Sequence, residues 1–306
     1  MSDDLALAAI GADGQRWDIA GPDAGDQYVW LMKGPKQFYE SPAITYWIQS
    51  GGGLESYQGS SFKMRKPLFG LVVLGRSPAH AMAVHAELRK SLGAVGEDVF
   101  TLEAQTEAWG TRTLSMRHFT TPIAFESGEW EGGKDPHLSD GPTLMIDAAC
   151  EMPHWKGETL TGAWTLPAGT AGSNTILHPG QMGDVATFPR WTINAPAKWN
   201  IPDPSWGQEA DFQRPAGADI ARQFPVVQLN TGEDSYLHSD ESTAAIVTVA
   251  GGLGPWMRSN GDSLIYPVKG FTPPTSLAIS VTGAVAPVTA TIEVDQLYSM
   301  PWAASL

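Results

Sequence analysis

Only one stretch of the 306-residue chain repeats its apolar side chains at helical spacing. It runs from Pro78 to Leu92, where Ala81, Val84 or His85, Leu88 and Leu92 share one face of a 3.6-residue period. Ser77 stands at the N-cap position and Pro78 fits the first helical residue. Arg89 and Lys90 complement the dipole in the last turn, and Gly93 is a natural stop. Elsewhere, short β-branched and aromatic runs are cut by Gly and Pro. The chain is therefore confined to a mainly β fold with one helix. With 33 Gly, 23 Pro and 12 Trp but only 17% charged residues, it suits short strands and turns better than long solvated helices.

Strands are predicted over 5–10, 16–19, 27–32, 44–48 and 68–74, and Gly51–Ser61 reads as an exposed loop. After the helix, 99–104 and 111–117 read as a pair turning near Trp109-Gly110, and 143–148 as a further strand. Glu126–Asp140 reads as an acidic, irregular loop. Beyond residue 157 no helical period is found. Candidate strands at 160–164, 175–177, 185–193, 225–229, 245–249, 262–268, 276–281 and 288–297 come at sandwich-like spacing. Asp203–Arg222 reads as a longer loop between them. This change of pattern predicts two domains, 1–157 and 158–306.

The formal charge of −14 argues against nucleic acid as a tight partner, because phosphate binding needs clustered Lys and Arg. It argues equally against an anionic membrane surface. No apolar run approaches the roughly 18 residues of a membrane-spanning helix. The start Met1-Ser2-Asp3-Asp4-Leu5-Ala6 lacks the basic region of a signal peptide, so a soluble protein made in a cytoplasm is expected. Cys150 is the single cysteine. It excludes an intrachain disulfide and a cysteine-rich zinc framework, and its apolar run (144–150) reads as buried.

The nucleophile-elbow, dinucleotide, phosphate-loop and His-Glu-x-x-His templates are all missing. The histidines at 80, 85, 118, 137, 154, 178 and 238 are scattered, and His80 and His85 miss the i, i+4 spacing of a zinc pair. No catalytic residue, cofactor or metal ligand is expected. Glu126, Glu129, Trp130, Glu131 and Asp135 combine carboxylates with an aromatic, as a glycosidase does, but such a Gly-containing acidic stretch also reads as a solvated loop. The Trp residues serve core packing, subunit contact or sugar stacking. Trp206 and Trp256, beside Pro or Gly, are the candidates for sugar or partner contact. The basic cluster Lys63, Arg65 and Lys66, with Arg76 beyond it, suits an acidic patch on a neighbouring subunit or the protection of an edge strand.

The second half also carries a family pattern. Gly183-Asp184-Val185-Ala186-Thr187-Phe188-Pro189-Arg190-Trp191-Thr192-Ile193 resembles the segment that opens the C-terminal domain of siphophage distal tail proteins (Dit), also known as actinobacteriophage minor tail proteins. Ahead of it, Ala149-Cys150-Glu151-Met152-Pro153-His154-Trp155 is similar to the Ala-x-x-x-Pro-x-Trp that ends that family's first domain. Gly232–Asp240 stands where the family has Gly-Glu-x-Leu-x-Ile-Asp-Thr and departs from it at several positions. Asp262–Val268, Pro273–Ile279 and the closing Tyr298-Ser299-Met300-Pro301-Trp302 follow in family order. The resemblance covers residues 60–303.

The resemblance implies an N-terminal β-sandwich or barrel with one α-helix and a galectin-like C-terminal β-sandwich. It implies a non-enzymatic protein of the virion tail tip, made in the host cytoplasm, whose first domain closes a homo-hexameric ring. Its partners would be itself, the tail-tube protein, the tail-tip hub or tail-associated protein, and receptor-binding proteins. DNA would pass through the lumen without specific binding. Ring formation is expected from Phe62–Leu74 and Pro78–Leu92, with Lys63, Arg65, Lys66, Phe69, Arg76, Leu88 and Arg89 as candidate subunit contacts. Gly51–Ser61 would reach a neighbouring ring. The alternatives are a carbohydrate-binding module for host-surface glycans and a glycan hydrolase using paired carboxylates.

Overall fold

A computed structural model describes residues 5–50, 54–93, 96–123, 142–240 and 244–303. The chain forms two compact units: Met1–Gly157 together with Tyr298–Ala303, and Glu158–Leu297. Tyr298–Ala303, placed by sequence in the second domain, thus return to the first unit. Among the described residues no helix is long and apolar enough to cross a membrane.

In the first unit, β1 (Leu5–Ile10), β2 (Arg16–Ala20), β3 (Val29–Leu31), β4 (Ala43–Ser50), β5 (Leu54–Phe62) and β6 (Leu68–Val73) precede the helix α1 (Pro78–Leu92). After it come β7 (Val99–Thr106), β8 (Gly110–His118), β9 (Thr143–Ala149) and β10 (Trp155–Leu166), which carries the chain onward. Two antiparallel layers result, β2-β1-β7-β8 and β3-β6-β9, and they meet where Arg117 and His118 pair with Ala149 and Ala148. Alternation decides the faces. On β7, Phe100, Leu102, Ala104 and Thr106 point inward while Val99 and Gln105 are exposed. Phe100, Leu102 and Ala104 join Leu7, Trp17, Phe69, Leu71, Leu114, Met116 and Ile146 in one core.

The helix follows its sequence signals. Ser77 caps it by accepting from the His80 backbone N–H at 3.2 Å, and Ala81, Val84, Leu88 and Leu92 are buried. Its last turn is tied to the β1–β2 end of the unit. The fully buried Trp17 donates its indole N–H to Ser91 Oγ at 3.0 Å, and Ser91 donates to Asp13 at 2.8 Å.

The second unit holds β11 (Gly172–His178), β12 (Arg190–Ile193), β13 (Lys198–Pro202), β14 (Gln223–Pro225), β15 (Ser235–His238) and β16 (Ile246–Thr248). A one-turn helix α2 (Gly254–Arg258), β17 (Thr275–Thr282) and β18 (Val288–Tyr298) complete it. The sheets β16-β15-β12-β18-β10 and β11-β17-β13-β14 enclose a core that includes Trp191, Trp199, Ile201, Phe224, Leu237, Ile279 and Ile292.

Five sequence expectations need correction. Of the expected loop Gly51–Ser61, residues 54–61 are part of strand β5, and 51–53 lie outside the described residues. Residues 185–193 are a strand only from Arg190, and 225–229 lies beyond the end of β14 apart from its first residue. Asp262–Val268 is not a strand. The Ile265 and Tyr266 backbone N–H groups donate to the Asp203 carboxylate at 2.9 and 3.2 Å, so they are unavailable to a ladder. Finally, α2 and a 3₁₀ turn at Glu209–Phe212 are too short to show a period.

Candidate functional site

The β4–β5 hairpin is the most unusual surface of the first unit. Its strands pair along their length, from Ala43 opposite Phe62 to Ser50 opposite Leu54. Among the described residues they pair with no other strand. Yet Trp47, Ile48 and Tyr57 are each 57% exposed, and Tyr46 and Phe62 are exposed as well. Trp47 and Tyr57 face each other across the strands with ring centres 5.7 Å apart, edge to face. A two-stranded ribbon is marginal by itself in water, and clustered exposed aromatics mark a contact surface. A bulge after Tyr46 turns the ribbon, and Gly59 opposite it has φ 131°, a conformation that favours glycine.

The foot of the hairpin is held by a buried hydrogen-bonded arginine. Arg65 is fully buried, and its Nη1 donates to the carbonyls of Phe38 and Tyr39 at 3.3 and 3.4 Å. Nη2 donates to Ser41 Oγ at 2.7 Å and to Ser299 O at 3.2 Å. The guanidinium lies 5.9 Å from the buried Trp155 ring. Burial lowers the Arg65 pKa to about 10, against the smaller opposing influence of Cys150 and Glu40. Phe62 packs edge-on against the His154 ring at 4.4 Å. A second buried arginine, Arg112, donates to Met300 O and Ala303 O at 2.9 and 2.8 Å and stacks 3.4 Å from the Tyr298 ring centre. Together the two arginines fasten the returning C-terminal segment, with Trp302 5.1 Å from Tyr39. Beside this foot opens a groove of 450 Å³ lined by residues 35, 37–43 and Trp302.

The predicted contact residues divide. Lys63, Lys66 and Arg76 are exposed. Lys66 lies 3.9 Å over the Phe119 ring and Arg76 5.2 Å from that of Tyr28. Arg89 is half-buried. Arg65, Phe69 and Leu88 are not surface contacts, because each is buried in the unit's own interior. The apparent basic cluster is therefore split by chain direction, its middle member turned inward. Trp206 is half-buried against the His178 ring at 5.1 Å, and Trp256 is half-buried against the second core. Trp256 lines a cleft that Trp206 does not. The acidic group Glu126, Glu129, Trp130, Glu131 and Asp135 lies outside the described residues. No group of three or more His, Cys, Asp or Glu able to hold a metal occurs among the described residues.

Sequence reasoning missed the exposed hairpin. Its signal was Tyr46-Trp47-Ile48, three large apolar residues in succession, which no single-faced strand can bury.

No protein family model and no curated protein matches the sequence. Among solved structures, the fold matches the Dit protein of phage SPP1, described as a paradigm of the hub adsorption apparatus in phages infecting Gram-positive bacteria. The TM-score is 0.52 at 12% identity, covering 94% of this chain and 98% of that one. A chain of the phage p2 baseplate in its activated conformation follows at 0.47 and 11%, covering 95% and 98%. The chain thus has the mainly β fold of a Dit protein.

Proposed function

We propose that this chain is a structural component of a phage tail tip, a distal tail adaptor that works by assembly and not by catalysis. The observation that carries the reading is the fold shared with SPP1 Dit across nearly the whole of both chains. In this reading the first unit builds a closed homo-hexameric ring between the tail-tube protein and the tail-tip hub. The second unit, a galectin-like sandwich, supports receptor-binding proteins. Ring closure covers unpaired edges and exposed aromatics, which is what β4–β5 lacks within one chain. The hairpin's Trp47, Ile48 and Tyr57 would bury themselves on a neighbouring subunit, with Lys63, Lys66 and Arg76 at the rim. The charge of −14 suits a lumen that DNA must traverse without adhering. Synthesis is in the host cytoplasm and residence in the virion tail tip.

Native mass spectrometry and electron microscopy of the purified full chain, alone and with tail-tube protein, test this. A six-membered ring is expected, and a Trp47→Ser/Tyr57→Ser double variant should remain monomeric while folded. A chain that stays monomeric under both conditions would overturn the ring. Antibody labelling that finds the protein away from the tail tip would overturn the placement.

A further inference from the structure

The β4–β5 ribbon is apolar on both faces. In its register Tyr46 stands opposite Gly59 and Ile48 opposite Ser56, while Trp47 stands opposite Tyr57. Side chains alternate along β4, so Tyr46 and Ile48 lie on one face and Trp47 with Tyr57 on the other. Hydrogen bonds agree with this parity. The Tyr46 and Ser61 hydroxyls meet at 3.2 Å on the first face, and Tyr57 donates to Ser60 at 3.3 Å on the second. Tyr46 is 47% exposed and the other three are 57% exposed. We propose that the ribbon is clasped between two copies of this chain, the one before it and the one after it in a ring, each covering one face. This arrangement rests on the ring reading given above and assigns each face its partner.

Area favours it. At about 3.4 Å per residue and about 5 Å between strands, eight paired residues offer roughly 300 Å² on each face. A stable contact takes about 800 Å² from each partner, so covering one face makes a weak contact and leaves the other face's large apolar residues in water.

Shape decides which symmetry applies. On the first face the large residues run along β4 alone, and Ser56, Gly59 and Ser61 form a shelf of small residues beside them. On the second the Trp47 and Tyr57 rings meet edge to face at 5.7 Å. Unlike faces fit unlike surfaces. A two-fold dimer sets a surface against its own copy, whereas a ring sets two different surfaces of each chain against its two neighbours.

Elsewhere the first unit covers its own edges. At β2 the Asp18 backbone N–H donates to Gln27 Oε1 at 2.9 Å, and the Asp18 carbonyl accepts from the Gly25 N–H at 3.0 Å. The ribbon, among the described residues, pairs with no third strand. Its surfaces are left for other chains.

The test mixes two variants of the full chain in the analytical ultracentrifuge: Tyr46→Ser/Ile48→Ser for the first face and Trp47→Ser/Tyr57→Ser for the second. Each alone should self-associate at least about thirtyfold more weakly than the parent, as loss of interface anchors does. Mixed in equal amounts, they should form two-membered particles that grow no further. In one order the two variants meet through intact faces, and in the other through two damaged ones. Far-UV circular dichroism should match the parent, since none of the four side chains belongs to the core. Where a serine pair misfolds, the corresponding threonine pair replaces it. The clasp falls if mixing restores nothing, which would place both faces on one neighbour, or if either variant assembles as the parent does. A parent chain that stays monomeric alone and with tail-tube protein instead overturns the ring itself, and the clasp with it.

Discussion

Two hairpins of similar length stand in the first unit with opposite surroundings. In β7–β8, eight register pairs run from Val99–Arg117 to Thr106–Gly110, and one face of each strand is buried. In β4–β5, the register is as long, but the aromatic side chains lie in solvent. The first ribbon uses its residues to hold the unit together. The second spends apolar surface that the single chain never covers. In the proposed reading, stability and recognition are thus separated onto two ribbons of the same local structure, and each can be broken without the other.

The largest expected effect tests that separation directly. Phe100→Ala removes a fully buried ring from β7 and should cost about 3–5 kcal/mol, read as a lowered denaturant midpoint for the first unit. Trp47→Ser should change folding stability by less than about 0.5 kcal/mol. It should instead weaken self-association by about 2 kcal/mol or more, as interface anchors do, measured by sedimentation. Equal losses of stability from both substitutions would end the comparison.

Arg65 is where the exposed ribbon meets the core. Arg65→Leu strips a donor set from Phe38, Tyr39, Ser41 and Ser299 and should cost about 2–4 kcal/mol. Amide exchange should then quicken in β4–β5 first. Arg65→Lys should recover little, since a single ammonium cannot span four acceptors.

Legibility in the sequence followed the same division. The helix and β7–β8 could be read because their burial has a period that the side chains record. β5 could not, because Leu54–Phe62 carries three Ser, a Gly and a Gln among its nine residues and becomes a strand through pairing with β4. Arg65 was misjudged for a related reason. Neighbouring charges suggested a surface cluster, whereas main-chain carbonyls, which no sequence pattern reveals, took the middle one inside. The returning Tyr298–Ala303 segment was equally hidden, since its partner Arg112 lies far away in the chain.

Cys150 sharpens the contrast through pH. It lies in the buried core, bridged to Arg65, and burial pushes its thiol up to about 12, with Arg65 pulling slightly the other way. A raised pKa means that the folded state resists ionisation which the unfolded chain permits. This stability is complete below the unfolded value near 9 and declines as pH rises toward the folded one. Between pH 9 and 10.5 the loss should be about 2 kcal/mol, at about 1.4 kcal/mol per pH unit. Cys150→Ala should remove that component. Trp47→Ser should leave it unchanged, because the exposed ribbon has no part in it.

The smallest effect lies in two glycines. Gly110 closes β7–β8 at φ 69°, and Gly59 sits opposite the β4–β5 bulge at φ 131°. A Cβ at either would meet nothing within 4 Å, so Ala substitution tests conformation alone. Each should cost about 1 kcal/mol locally. For Gly110→Ala the cost should appear in the global unfolding of the unit, because β7–β8 opens only with the core. For Gly59→Ala it should appear as faster amide exchange confined to β4–β5, with the melting midpoint unchanged, because that ribbon can open alone. A global shift from Gly59→Ala would mean that the two hairpins share one cooperative fold and that the exposed ribbon also bears structural weight.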